Sequence, residues 1–378
     1  MTAAAPEAAL GPGFPAADLE PTRGLPQLTT RRASNTGSAR GAPNEVEKNV
    51  KRTLGRSGIE VPAVGMGCWA IGGPWEMFGA QAGWGVVDDA ESTRAIHAAL
   101  EHGASFFDTA ANYGAGHSER VLGAALKGRR DQAVIATKVG HKIDEAARKV
   151  VFYGPEEVDS DPASHIREDL ENSLRRLQTD YVDVYLLHVW SLSIEHALEA
   201  REVFDDLVRQ GKIRTYGWST DRTDAIEAFS TEPGCGVVEQ ELNIFTGNAE
   251  LLALAERLNL ASINRAPLGM GLLTGRITPE TRFGDDDVRQ KVEWFPGIKG
   301  GRANQAWLDS LAAMREILTS GGRTLAQGAL AWLWGRSLNT VPIPGFRTVA
   351  QVEENAKAME FGPLTAGQMT EIDRILGR

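Results

Sequence analysis

From Arg52 onward, short runs of apolar and β-branched residues alternate with longer stretches whose apolar positions recur every three or four residues. The short runs predict strands near Ala63–Gly67, Ser105–Asp108, Ala133–Lys138, Val182–Leu187, Thr215–Trp218, Val237–Gln240, Ala261–Asn264 and Thr340–Ile343. The stretches between them predict amphipathic helices. Ile166, Leu170, Leu174 and Leu177 share one face of such a helix. Asp161-Pro162 ahead of them offers an N-cap and a proline for the first helical position. Asp89 and Ser118 are further expected caps. Parallel strands need crossover connections, and eight strand–helix units are enough to close the sheet on itself. The expected fold class is therefore α/β, a (β/α)8 barrel of the TIM type over residues 52–378.

Two parts of the chain break this rhythm. Residues 1–48 are rich in Ala, Pro, Gly, Ser and Thr with no apolar period, and are expected to form a disordered leader. The connections from Trp69 to Asp88 and from Pro267 to about Arg302 are too long for simple links. They carry Trp75 and Trp84, and Asp285-Asp286-Asp287, Trp294 and Phe295, respectively. Both follow strand ends, on the face where barrel proteins build their sites, and are expected to be binding walls.

Composition narrows the function classes. A formal net charge of -10 over 378 residues repels phosphate backbones, so no nucleic-acid partner is expected. The two cysteines, Cys68 and Cys235, form no CxxC and fit a reducing compartment, so the expected location is cytoplasmic. No secretory signal or membrane-length apolar run is visible, so no membrane partner is expected. Nothing in the sequence fixes an oligomeric state. Gly65-Met-Gly67-Cys68-Trp69-Ala70 matches a dinucleotide fingerprint by letter, but Gly72-Gly73-Pro74 forbids the helix that must follow it. His97, His102, His117, His141, His165 and His196 have no partners at metal-ligand spacing, so no metal is expected.

Four polar residues stand where the expected strands end. Asp108 closes the second, Lys138 the third and His188 the fourth, with Tyr113 five residues past Asp108. Each alone has a dull explanation: a turn cap, a solvated strand end, a satisfied core histidine, a packed ring. Together they form a set suited to reducing a carbonyl, which needs hydride at carbon and a proton at oxygen. A phenol is a reluctant acid at neutral pH, and a neighbouring cation stabilises the phenolate. Lys138 can be that cation, Asp108 can hold it charged, and His188 can donate a hydrogen bond to the carbonyl oxygen.

Leu54-Gly-Arg-Ser-Gly-Ile-Glu-Val-Pro62, Phe107-Asp-Thr-Ala-Ala-Asn-Tyr-Gly114, Ser173-Leu-Arg-Arg-Leu-Gln-Thr-Asp-Tyr-Val-Asp183, Gly211-Lys-Ile-Arg214, Pro267-Leu-Gly-Met-Gly-Leu-Leu-Thr-Gly275 and Ile343-Pro-Gly-Phe-Arg347 appear in this order. Jointly they resemble the signatures of the aldo-keto reductases, from Arg52 to the C-terminus. The resemblance implies an NADPH-dependent reduction of an aldehyde or ketone, reversible, with Asp108, Tyr113, Lys138 and His188 as the catalytic set. It implies NADP(H), or else NAD(H), bound without a Rossmann domain. The family's Ser-Asn pair at the nicotinamide reads Ser219-Thr220 here, and its Gln is replaced by Glu239. The family's aromatic stacking position holds Arg265. Pro267, Leu268, Gly269 and Gly271 would line the diphosphate, with Gly67, Cys68, Trp69 and Ala266 nearby. Gly345, Phe346, Arg347, Gln351, Glu354 and Asn355 would hold the adenosine end, with Arg347 the cation aimed at the 2′-phosphate. Trp69, Trp75, Val189, Trp190 and Trp294 would wall an apolar cleft for a small carbonyl or alcohol substrate. Two other readings use the same residues: a Schiff-base lyase with Lys138 as the amine, and a cofactor-binding regulatory protein like the potassium-channel β-subunit relatives of the family.

Overall fold

The computed structural model describes residues 51–151, 163–190 and 192–378. The leader and the Asp161-Pro162 cap lie outside them. Eight parallel strands follow one another around a barrel: β1 (Met66–Gly67), β2 (Phe106–Asp108), β3 (Val134–Val139), β4 (Val182–Leu187), β5 (Ile213–Ser219), β6 (Cys235–Glu241), β7 (Ala261–Arg265) and β8 (Thr340–Pro342). Each lies within one of the eight expected runs or overlaps it. The ring closes where the Gly65 and Gly67 N–H groups donate to the carbonyls of Pro342 and Pro344, at 2.9 and 3.0 Å.

Helices α1 (Asp89–Glu101), α2 (His117–Ala125), α3 (Ile166–Leu177), α4 (Ile194–Arg209), α5 (Thr223–Phe229) and α6 (Ala249–Arg257) follow the first six strands. After β7 come α7 (Gln305–Leu318) and α8 (Leu325–Arg336), and after β8 come α9 (Val349–Lys357) and α10 (Ala366–Ile375). Ile166, Leu170, Leu174 and Leu177 are buried, as their spacing requires. Two caps differ from expectation. Asp88, not Asp89, caps α1, because its side chain reaches the Ala90 N–H. Asp89 is the first helical residue, and its carboxylate meets His117 Nε2 at 2.9 Å. Ser118 lies inside α2, with Gly116 at the cap; its hydroxyl donates to the Cys68 carbonyl at 2.8 Å instead.

The interior is apolar below and polar above. Leu54, Ile59, Val61, Phe106, Ala136, Val184, Leu186, Val237, Ile263 and Val341 pack as one cluster inside the ring. Leu54, Ile59 and Val61 come from a hairpin, Lys51–Thr53 paired with Glu60–Pro62, that plugs the N-terminal end. Gly55 is required there: its φ is +51°, and a Cβ would meet the Gly236 carbonyl at 2.3 Å. A larger cluster fills the layer between strands and helices.

Over the C-terminal mouth the first long connection forms a hairpin, Glu76–Met77 with Ala80–Gln81. A second hairpin after β3, Lys142–Asp144 with Lys149–Val151, extends it into a four-stranded sheet. The second long connection builds its own small core from Met270, Leu272, Val288, Val292, Phe295 and Ile298, against which Trp69, Trp84 and Trp294 pack. The two connections touch: Val288 N–H donates to the Gly83 carbonyl at 2.7 Å, and Gln81 Nε2 to that of Asp286 at 2.8 Å. Among the described residues no helix is long and apolar enough to cross a membrane.

Candidate active site

Strand side chains alternate between faces, so two residues beyond an inward apolar position the chain points inward again. Phe106 leads in this way to Asp108, Ala136 to Lys138, Leu186 to His188 and Val237 to Glu239. The step carries the barrel lining from its apolar floor to a polar layer at the mouth.

Lys138 is the centre of that layer. Its side chain is 0% exposed, and its ammonium donates to Asp108 Oδ1 at 2.5 Å, to the Thr109 carbonyl at 3.0 Å and to the Tyr113 hydroxyl at 3.4 Å. Glu239 Oε2 lies 3.4 Å from the same nitrogen, and the Glu239 carboxyl also meets that of Asp108. Burial alone would lower the lysine pKa; Asp108 and Glu239 outweigh it, and the ammonium is held charged. Burial and the neighbouring Glu239 raise the Asp108 carboxyl well above the usual range, against the pull of Lys138. Burial also pushes the Tyr113 phenol up, and Lys138 draws it back down.

Tyr113 is pinned by loop geometry. Its ring stacks on Trp69 with centroids 6.0 Å apart and meets His188 edge-on at 6.2 Å. The next residue, Gly114, has φ +65°, and a Cβ there would lie 2.1 Å from the Gly72 carbonyl. The first long connection thus passes too close to Tyr113 for any side chain to intervene. His188 is anchored through its backbone N–H to Val139 at 2.7 Å. Burial, Lys138 and His141 hold its ring well below the usual histidine range, so it stays neutral. His141, two residues past β3, sits 6.0 Å from His188 and against Trp190, and burial pushes it down to about 4.

The expected dinucleotide-contacting residues line one arc of the mouth. Ser219 Oγ donates to Glu239 Oε1 at 3.1 Å, and the Thr220 N–H goes to the Glu239 carbonyl at 3.0 Å. Gln240 turns to the other face of β6, where it donates to Ser262 at 2.9 Å. Arg265 is spent on two carboxylates, Asp221 and, at 3.2 Å, Glu241. Ala266 and Gly269 have φ near +50°, and Gly271 has φ +97°, so the segment from Ala266 through Pro267 and Leu268 to Gly271 turns sharply. Gly67 bridges to Gly345 across the barrel seam. Trp69 Nε1 donates to the Ala82 carbonyl at 3.0 Å. Cys68, Trp75, Phe346 and Asn355 are buried. Val189 lies beside Gly140, and Trp294 belongs to the core of the second long connection. Glu354 pairs with Arg276 at 3.0 Å, and Gln351 accepts from the Arg347 N–H at 2.7 Å.

Arg347, expected at the 2′-phosphate, also makes contacts within the chain. Its guanidinium donates to the carbonyls of Trp84, at 3.0 Å, and Val86, tying the first long connection to the start of α9. Carbonyl oxygens leave no mark in a sequence, so this engagement was not legible there. Reasoning from the sequence also missed His141, Asp221 and Glu241, and the approach of Glu239 to Lys138. The step of two from Val237 would have signalled the last. Among the described residues no group of three or more His, Cys, Asp or Glu side chains could hold a metal ion.

Comparison with known proteins identifies relatives of the whole barrel. The sequence model described as "Aldo/keto reductase family" matches residues 63–376. Aldo-keto reductase YhdN of Bacillus subtilis is 32% identical over 307 residues, 80% of this chain and 86% of that protein. Among solved structures, the glycerol dehydrogenase AKR11B4 from Gluconobacter oxydans superposes with a TM-score of 0.71 at 27% identity, covering 88% of this chain and 96% of that one. An aldo-keto reductase from Klebsiella pneumoniae in complex with NADPH gives 0.60 at 27% identity, over 86% and 95%.

Proposed function

The chain belongs to the aldo/keto reductase family, and on that premise we propose that it interconverts a small aldehyde or ketone and the matching alcohol with NADP(H). The observation that carries the reading is the buried Lys138 ammonium, 2.5 Å from Asp108 and 3.4 Å from the Tyr113 hydroxyl, at the ends of adjoining strands.

Tyr113 gives its proton to the carbonyl oxygen during reduction and takes one back during oxidation. A phenol raised by burial keeps that proton until it is needed, and the cation beside it stabilises the phenolate left behind. Asp108 and Glu239 hold Lys138 charged, which also denies it the free amine a Schiff base requires. Neutral His188 donates to the same oxygen as negative charge develops; such a donor is worth about 2.7–4 kcal/mol.

Bound NADP(H) supplies or accepts the hydride. The residues present fit it: Gly269 and Gly271, both at positive φ, put two positions without a Cβ into the sharp turn after β7, and the Ser219 hydroxyl stands beside Glu239 at the inner end. Ser219, Thr220 and Glu239 would hold the nicotinamide end, with Arg265 beside it. Ala266, Pro267, Leu268, Gly269 and Gly271 would follow the diphosphate, near Gly67, Cys68 and Trp69. Gly345, Phe346, Arg347, Gln351, Glu354 and Asn355 would take the adenosine end. The NADPH in the Klebsiella relative supports this assignment. Trp69, Trp75, Val189, Trp190 and Trp294, joined by His141, would wall the substrate cleft.

Tyr113→Phe tests the reading. Loss of the general acid should cut turnover by about 10²–10⁴-fold, while NADPH titrated into the full chain still binds. A variant that retains most of its turnover would refute it.

A further inference from the structure

We propose that His141 reads the substrate: it pairs with a hydroxyl on the carbon next to the reacting carbonyl, so that the protein selects α-hydroxy aldehydes and ketones over their alkyl analogues. The inference rests on the reading above, which puts the carbonyl oxygen between Tyr113 and His188, and names the class of molecule that fits beside them.

His141 reaches the mouth two residues past β3. Gly140 has φ +143°, and a Cβ there would lie 2.4 Å from Val189 Cγ2 and 3.4 Å from the His188 carbonyl oxygen. A glycine thus lets the two strand ends run close together, and the next side chain is His141. Three rings then form an arc. Tyr113 and His188 have centroids 6.2 Å apart, and His188 and His141 6.0 Å. Trp190 and Phe78, each 5.6 Å from the last ring, close around it. His141 is 7% exposed. The His188 carbonyl holds one side of the ring, while Nε2 has no hydrogen-bond partner. A buried polar atom left unpaired costs about 1–3 kcal/mol, a cost that a phenylalanine packed here would not carry. Burial keeps the ring neutral, so it presents a nitrogen and no charge. A hydroxyl can donate or accept, and so suits that nitrogen in either tautomer. A carboxylate only accepts, and it would join Asp108 and Glu239 in a layer that already holds two. One oxygen held by Tyr113 and His188 and a second held by His141 fit adjacent carbons, because His188 borders both positions.

The bare alternative is that His141 only packs the wall. Glycolaldehyde and propanal separate the two, because they match in size and differ by a hydroxyl in place of a methyl. NADPH oxidation by the full chain at about pH 7, where the ring is neutral, gives kcat/KM for each. Wild type should favour glycolaldehyde. His141→Phe, which keeps a ring against Phe78 and Trp190, should lower the glycolaldehyde-to-propanal ratio of kcat/KM by about five- to hundredfold, the range for one unpaired buried group. His141→Gln, which can still bond, should keep more of the ratio, and neither variant should change the NADPH dissociation constant. A ratio left unchanged by His141→Phe would overturn the proposal while leaving the reductase reading intact. So would a wild type that reduces propanal or benzaldehyde but not glycolaldehyde. A wild type that binds NADPH and reduces none of the three would take down both.

Discussion

Replacing Lys138 by methionine removes the cation beside two buried carboxylates while keeping all but one atom of the side chain's length. Asp108 lies 2.5 Å and Glu239 3.4 Å from the ammonium, and all three side chains are at most 2% exposed. Breaking a buried pair by deleting one member costs about 3–5 kcal/mol, because the remaining charge has neither water nor partner; an exposed pair would cost about 1 or less. Met fills the volume, so the packing contribution stays small. The orphaned carboxyls respond by holding protons. Asp108 is already raised by burial and by the neighbouring Glu239 with the lysine present, and loss of the lysine's pull raises it further. A carboxyl raised in the folded state contributes stability below its unfolded pKa, near 4, and loses it as pH rises through the folded value. The deficit of Lys138→Met should therefore be small near pH 5 and widen toward about pH 8, approaching the roughly 3–5 kcal/mol of a broken buried pair. Urea unfolding of both proteins, followed by tryptophan fluorescence at the two pH values, measures it. Adding Glu239→Gln should recover part of the loss. A deficit under about 1 kcal/mol at both pH values, or one that grows toward acid, would refute the account of Lys138 as the charge that makes this layer tolerable.

Gly114→Ala places a Cβ 2.1 Å from the Gly72 carbonyl; it should lower kcat/KM by about tenfold or more by displacing Tyr113, and unchanged kinetics would show that the loop yields freely. Arg347→Ala should weaken NADH binding as well as NADPH binding, because its guanidinium also ties down the Trp84 and Val86 carbonyls; a loss confined to NADPH would assign it to the 2′-phosphate alone. Since burial, Lys138 and His141 hold His188 neutral, kcat for reduction should show no inflection near the usual histidine value of about 6.5, and a clear one there would mean that His188 titrates.

Eight strands were legible because each is a short, buried, β-rich run. Their ends were less so: β5 begins at Ile213 and β6 at Cys235, ahead of the apolar runs that announced them. Asp88 and Asp89 are chemically equal as caps, and only backbone geometry selects the first. The plug hairpin was hidden because its strands are three residues long and half polar. The hairpin at Lys142–Val151 carries no sustained alternation either. Asp108, Lys138, Tyr113 and His188 could be assembled from the sequence because neighbouring strands bear three of them. Glu239 comes from a strand across the barrel, and its approach to Lys138 depends on closure, which no local pattern encodes.

The plug hairpin also sets a timetable. It is made before any barrel strand, yet Arg56 docks on the Cys235 carbonyl, 179 positions later in the chain, and the Arg56 N–H on that of Asn259. At about 5–20 residues per second, a ribosome would need roughly 10–40 s to supply the first of these partners. During that interval Leu54, Ile59 and Val61 have no barrel to enter, because the strands that will enclose them are not all made. The first of the described elements to be synthesised is thus among the last that can be buried. Shortening the wait, by moving residues 51–62 behind the C-terminus in a circular permutant, should reduce aggregation during synthesis more than it changes the finished protein.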